Sequence, residues 1–221
     1  MRILVTRPEP GASATARRLV AMGHEPALSP CLEIVSLPAR LPDQAGALII
    51  TSAQAIPALP ERWRDVPMFC VGDATANRAR AAGFSRVESA GGDAQDLFRL
   101  VCARRLPGTH LLAAGERHGM ALARQLHAAG IAVLRRKVYA ARPLRLLPPS
   151  IDADLAAMKI PAALFYSAET ARAFVRLRPR NTASVTAYAL SPAVASGLGG
   201  LPWAAIRVAV APTEADLMAL L

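Results

Sequence analysis

Ala47-Leu48-Ile49-Ile50-Thr51-Ser52-Ala53 and Ala163-Leu164-Phe165-Tyr166-Ser167-Ala168 carry one pattern twice: an uninterrupted apolar run, a serine, and an alanine suited to open a helix. Runs of this length without polar alternation predict strands buried on both faces, as parallel sheets require. Each copy is followed by a second strand, turn and helix, at Val71-Gly72-Asp73 and at Leu190-Ser191-Pro192. Residues 3–28, with Ala16-Arg17-Arg18-Leu19 and Gly23-His24-Glu25-Pro26, likewise resemble residues 111–134, with Ala123-Arg124-Gln125-Leu126 and Gly130-Ile131-Ala132-Val133. Self-similarity of this kind predicts two similar lobes.

Working outward, strand-like runs alternate with helical patterns along the chain: 3–5 then 12–22, 47–50 then 53–59, 68–71 then 74–82, and 111–113 then 120–129. The series continues with 163–166 then 170–177, 187–190 then 193–197, and 208–210 before a last helix from Glu214. That alternation predicts an α/β fold of parallel sheets with helices on both faces. Gly23, Gly83 and Gly130 stand where left-handed helix C-caps are expected. Segments 30–37 and 136–145 break the pattern, being β-rich and flanked by prolines. If residues near 37 to 137 form one lobe, the first 33 must join the C-terminal third, and these two segments become paired linkers. A tandem arrangement split near residue 100 is the other division the residues allow.

Composition narrows the function. With 53% hydrophobic residues against 19% charged, the chain can bury sizeable cores, which excludes global disorder. The net charge of +10 points to an anionic partner. All but two of the 26 basic residues are arginine, Lys137 and Lys159 being the lysines. They form no run of five, and the few tyrosines and tryptophans are not interleaved with them, so the expectation is a small anion and no nucleic acid. Cys31, Cys70 and Cys102 share no close spacing, which predicts buried thiols and no disulfide framework. His24, His110, His118 and His127 form no metal-ligand pattern, so no metal is expected. Met1-Arg2-Ile3-Leu4-Val5-Thr6 reads as a strand ended by Pro8 and Pro10, too short for a signal h-region. No apolar stretch approaches the ~20 residues that span a bilayer, so the expectation is a soluble cytoplasmic protein.

Chemistry is expected at strand C-termini, where loops feed helix N-termini whose N–H groups can hold anions. Four loops have suitable small residues: Thr51-Ser52-Ala53, Val71-Gly72-Asp73-Ala74-Thr75, Tyr166-Ser167-Ala168 and Leu190-Ser191-Pro192. Each reads equally as a helix N-cap; their recurrence favours a shared anionic ligand. Arg7 follows the first strand at the same end, and Arg117 and His118 follow another, as ligand contacts or as solvated surface. There is no Gly-x-Ser-x-Gly elbow, Walker loop or Gly-x-Gly-x-x-Gly, and Gly197-Leu198-Gly199-Gly200 follows a helix, so a nucleotide cofactor is not expected. Positioning and hydrogen bonding remain as the source of catalysis.

Together these segments resemble the uroporphyrinogen-III synthase family over almost the full length. The matching residues are Ile3-Leu4-Val5-Thr6-Arg7-Pro8, Thr51-Ser52-Ala53, Val71-Gly72-Asp73-Ala74-Thr75-Ala76, Gly83-Phe84, Gly115-Glu116, Val138-Tyr139, Tyr166-Ser167-Ala168 and Ala211-Pro212-Thr213. The resemblance implies two open, doubly wound, flavodoxin-like parallel-sheet lobes: 1–33 with 146–221 as one, 38–135 as the other, and 34–37 with 136–145 as crossing antiparallel linker strands. The active site is then expected between the lobes. The implied reaction is a cofactor-free one. Hydroxymethylbilane, a linear tetrapyrrole with eight carboxylates, loses its terminal hydroxyl, inverts its last ring through a spiro intermediate, and closes. Arginine forks suit such a substrate. A monomer is the expectation, with hand-over from hydroxymethylbilane synthase as the source of its substrate and no membrane partner.

Tyr139 matches the family's linker tyrosine and is the candidate for assisting loss of the hydroxyl; packing between lobes is the other reading. Thr75 matches a family threonine near the cleft, to position substrate or merely to cap. Substrate contacts are expected from Arg7, Thr51, Ser52, Ala53, Gly72, Asp73, Ala74, Gly115, Arg117, Ser167, Ala168 and Ser191. Two stretches depart from the family. Its Gly-Pro-Thr-Thr-Ala is here Ser191-Pro192-Ala193-Val194-Ala195, and the arginines flanking Gly-Glu are replaced by Ala114 and Gly119, with Arg117 and His118 as stand-ins. A two-lobed anion sensor of the same fold without synthase activity is the alternative.

Overall fold

The computed structural model describes residues 1–221. In chain order, β1 (Arg2–Val5) leads to α1 (Gly11–Ala21), β2 (Glu25–Leu28) and β3 (Leu32–Ser36). Then come β4 (Ala47–Ile50), β5 (Met68–Cys70), α2 (Asp73–Ala81), β6 (Val87–Ser89), α3 (Ala94–Arg104), β7 (His110–Gly115) and α4 (Met120–Ala128). The long β8 (Val133–Pro143) precedes α5 (Pro149–Ala156), β9 (Ala162–Phe165), α6 (Ala168–Arg176), β10 (Thr186–Ala189), α7 (Pro192–Ser196), β11 (Ala205–Val208) and α8 (Glu214–Met218). The helix expected at 53–59 is a 3-10 turn over Ala53–Ala58, because Pro57 inside it has no N–H to donate to an α-helical bond. Gly23, Gly83 and Gly130 take positive φ after their helices, as their positions predicted.

The chain divides into two compact units, Met1–Glu33 with Arg142–Leu221, and Ile34–Ala141. The first holds a parallel sheet in the order β11-β10-β9-β1-β2. Numbered along the unit this is 5-4-3-1-2, the flavodoxin-like order read from the other edge. The second sheet runs β3-β8-β7-β4-β5-β6. Its five strands from β8 to β6 are parallel. Counting β7 and β8 as first and second, and β4, β5 and β6 as third to fifth, reproduces the order of the first unit. The second unit is therefore a circular permutation of the first, and the sequence repeats fall on equivalent strands: β1 with β7, β9 with β4, β10 with β5. The hydrogen bonds Leu37 N to Val138 O and Leu144 N to Cys31 O, both 3.0 Å, show that β3 and β8 run antiparallel.

Alternation along each strand sorts the second core onto two faces. Leu48, Ile50, Met68, Cys70, Leu111 and Ala113 pack with Ala76 and Ala79 of α2. Ala47, Ile49, Phe69, Leu112 and Ala114 pack with Leu97 and Val101 of α3 and Leu122 and Leu126 of α4. In the first unit, Ile3, Val5, Ala162 and Leu164 meet Ala12 and Leu19 of α1 and Leu217 and Met218 of α8. Phe165 meets Phe174 edge-on at 5.3 Å and Trp203 at 5.7 Å, and Phe174 stacks on Trp203 at 5.8 Å. Each fully buried large apolar side chain contributes about 1.5–3 kcal/mol of transfer free energy.

His110 opens β7 at 1% exposure, and neither ring nitrogen makes a well-aligned hydrogen bond. Burial holds its pKa below the ordinary histidine value, and the backbone of Gly108 opposes this without outweighing it. Below the ordinary value the unfolded chain binds a proton that the native site refuses, so native stability rises with pH through that window. Melting temperature is expected to fall between about pH 7 and pH 5, and His110→Leu to flatten that part of the profile. An unchanged slope in the variant would assign the dependence to other groups.

Candidate functional site

In both sheets the edge where the strands end is set by a shared local construction. β4 and β9 each end two residues before a serine N-cap, Ser52 and Ser167, and β10 ends two before Ser191. β5 ends two before Gly72, the N-cap of α2. Parallel strands that neighbour one another must present these loops at one edge of the sheet.

In the second unit, β7, β4 and β5 lie side by side, which brings together Gly115, Thr51-Ser52-Ala53 and Gly72-Asp73-Ala74-Thr75. Ser52 Oγ accepts from Gln54 N at 3.3 Å and so serves as a cap. Thr51 Oγ1 is enclosed with no partner. Gly72 offers no side chain to α2, so the N–H groups of Asp73 and Ala74 at its start have neither an intrahelical acceptor nor a side-chain cap. Asp73 and Ala74 are exposed, whereas Thr75 is buried with its N–H bonded to Gly72 O at 3.1 Å.

Tyr139 stands opposite Gly115 where the β7–β8 register shifts, and Glu116 N bonds to Tyr139 O at 2.9 Å. Its ring packs in the apolar cluster at 7% exposure. A Cβ added to Gly115 would lie 2.8 Å from the ring Cζ and 3.0 Å from the hydroxyl oxygen, so the glycine is what lets the phenol lie there. Arg117 and His118 are exposed on the following loop. That loop is tied down by a residue sequence reasoning missed: the Arg135 guanidinium donates to the carbonyls of His118 at 2.8 Å, Glu116 at 2.9 Å and Gly115 at 3.1 Å.

In the first unit, β10, β9 and β1 bring together Ser191, Tyr166-Ser167-Ala168 and Arg7. Ser167 Oγ accepts from Thr170 N at 3.1 Å and Ser191 Oγ from Val194 N at 3.4 Å, so both hydroxyls cap helices. Arg7 is not an unpaired cation. Its guanidinium lies 4.0 Å above the Tyr166 ring and donates to Glu214 Oε1 at 3.3 Å. Glu214 Oε1 also accepts from Thr15 Oγ1 at 2.9 Å and from the Tyr166 hydroxyl at 3.0 Å, while Oε2 accepts from Arg18 at 2.6 Å. Gly11 makes room for Arg7, because a Cβ there would lie 2.3 Å from Arg7 Nε. Burial, reinforced by the Glu214 carboxylate and opposed by Thr15 and Arg7, pushes the Tyr166 phenol up to about 12, so it stays a neutral donor. Thr15, Arg18 and Glu214 were not legible as a group, since Arg7 and Glu214 lie 207 residues apart.

Thiol chemistry has little support here: burial pushes Cys31 and Cys70 up to about 12, far from a reactive thiolate. No helix is long and apolar enough to cross a membrane.

Comparison with known proteins agrees with the fold. The fold resembles the crystal structure of uroporphyrinogen-III synthetase from Helicobacter pylori, with a TM-score of 0.66, 21% identity, and coverage of 100% of this chain and 98% of that one. It also resembles a mutant uroporphyrinogen III synthase from the extremely thermophilic bacterium Thermus thermophilus, with a TM-score of 0.52, 16% identity, and coverage of 100% and 97%. A search of curated proteins gives no match. The family profile described as uroporphyrinogen-III synthase HemD matches residues 13–219. A match of that extent, over a chain whose permuted sheets share the relatives' fold, means that the chain belongs to the uroporphyrinogen-III synthase family.

Proposed function

We propose that the chain closes hydroxymethylbilane to uroporphyrinogen III, with the strand-end loops holding the substrate and Tyr139 assisting departure of its hydroxyl. The reaction itself, a cyclising dehydration in haem biosynthesis, is that of the family. The observation that carries the residue assignment is the fit of the Tyr139 phenol over Gly115, on the strand beside β4 and its Thr51–Ala53 loop. A phenol fixed in that way can donate to a leaving hydroxyl without reorganising. At the uncapped start of α2, beside Gly72 and Thr75, the N–H groups of Asp73 and Ala74 supply backbone donors for carboxylates, and Arg117 adds charge nearby. Ser167, Ala168 and Ser191 are assigned to substrate through their backbone, because the two serine hydroxyls are engaged as caps and alanine has none.

The reading extends to a monomeric cytoplasmic enzyme that takes its substrate from hydroxymethylbilane synthase; the net charge of +10 suits an octacarboxylate. The decisive experiment supplies freshly generated hydroxymethylbilane to the purified protein, oxidises the products and separates type III from type I by chromatography. Predominant type III is expected. Type I alone, formed at the uncatalysed rate, would overturn the activity and leave a binding protein.

A further inference from the structure

The Glu214 carboxylate in the first unit is held by more donors than a surface ion pair requires. Arg7, Thr15, Arg18 and Tyr166 come from the end of β1, from α1 and from the end of β9, and all converge on its two oxygens. Three elements of the sheet's C-terminal end therefore contribute to one carboxylate-shaped arrangement. Fully buried pairs of this kind lock a fold, but this one is open on one side: the Glu214 side chain is 22% exposed and Arg18 is 58% exposed.

The helix that carries Glu214 does not depend on it. Thr213 caps α8 through Asp216 N at 3.1 Å, and Leu217 and Met218 anchor it in the apolar cluster with Ile3, Val5 and Leu19. The carboxylate can therefore leave its donors by rotamer changes alone, with the backbone in place. Arg7 cannot follow it, since its guanidinium is held over the Tyr166 ring and against Gly11. If Glu214 swings out, Arg7 and the Thr15 and Tyr166 hydroxyls still hold one another in place, with the exposed Arg18 beside them to close on another carboxylate.

We propose that Arg7, Thr15, Arg18 and Tyr166 form a subsite for a carboxylate of the substrate, which Glu214 fills in the free protein and vacates when substrate binds. The proposal rests on the synthase reading, in which the ligand carries eight carboxylates of which any one can compete with Glu214. The internal carboxylate keeps the subsite assembled and lowers apparent affinity by the work of displacing it.

The test measures KM and kcat for type III formation from hydroxymethylbilane in the wild type and in Glu214→Gln, Arg18→Ala and Arg17→Ala. Glu214→Gln keeps the size of the side chain but removes the competing charge, and KM is expected to fall roughly three- to tenfold with kcat unchanged. Arg18→Ala should raise KM by a similar factor of about three to ten. Arg17→Ala, at an exposed neighbour that removes the same charge, should leave KM in place. An unmoved or raised KM in folded Glu214→Gln, or an Arg18→Ala variant no different from Arg17→Ala, would overturn the subsite. Should Glu214→Gln fail to fold, the arginine pair decides alone. Absence of type III from the wild type would overturn the reaction and the subsite with it, whereas type III with an unmoved KM in Glu214→Gln overturns the subsite only.

Discussion

Tyr139→Phe is expected to slow type III formation by roughly ten- to a hundredfold at unchanged fold, because it removes one hydroxyl and leaves the packing ring in place. The ring belongs to the cluster with Leu48, Ile50, Leu111 and Ala113, so losing the oxygen does not open a cavity there. Uncatalysed closure continues at its own rate, so the share of type I should rise as the enzymatic rate falls. A positioning role predicts the reverse split: KM would rise while kcat held. Gly115→Ala provides the second arm. The new Cβ would fall within 3.0 Å of Cζ and the hydroxyl oxygen, forcing the ring aside. Its rate should drop at least as far as that of Tyr139→Phe, and adding Tyr139→Phe to it should cost little more, as expected of residues acting as one unit. Full activity in Tyr139→Phe would make this tyrosine a packing residue and nothing else.

Phe174→Ala is expected to remove about 3–5 kcal/mol from the first unit and lower its melting temperature by roughly 10–20 °C. Phe174 is fully buried, touches Phe165 edge-on and stacks on Trp203, so truncation leaves a void walled by two rigid rings. Rigid walls collapse poorly, which places the cost at the upper end of the range for such deletions. Phe174→Leu refills most of the volume and should cost under about 1.5 kcal/mol. The chain has two tryptophans, Trp63 in the second unit and Trp203 in the first, so Trp203 emission in a Trp63→Phe background follows the first unit by itself. A shift no larger in Phe174→Ala than in Phe174→Leu would show that the site relaxes around the void.

What the sequence disclosed followed from burial. β4 and β9 are buried at all four positions; the apolar run at 47–50 coincides with β4, and the run expected at 163–166 lies one residue beyond β9. The last strand did not coincide: the expectation at 208–210 belongs at Ala205–Val208, and Val210 is 95% exposed. β11 is an edge strand exposed throughout, so its sequence has no buried face to mark it, while the more apolar run beyond it is loop. β6 is partly buried at every position and offered no alternation either. α3 opens with a capping box between Asp93 and Asp96, which with Leu97 and Val101 was a readable signal passed over. β8 runs unbroken from Val133 to Pro143 across both the end of the second repeat and the proline-flanked segment, because its first half pairs with β7 while its second half continues beyond it. Among the candidate residues, loop positions were legible through strand and cap spacing. The Glu214 cluster was not, since only the folded sheet brings β1, β9 and α8 together.

The split first unit also fixes an order of events during synthesis. Residues 1–33 are synthesised before residues 34–221, yet β1 is an interior strand whose neighbour β9 arrives much later; the Thr6 hydroxyl waits for the carbonyl of a residue 158 positions on. At typical elongation rates that interval is on the order of ten seconds or more. The second unit, contiguous from Ile34 to Ala141, can complete its sheet within the interval. Throughout it, the edge of β1 that later takes β9 has no partner, which leaves Ile3, Leu4 and Val5, all fully buried in the finished protein, open on that side to nascent-chain chaperones or to the same strand of another newborn copy.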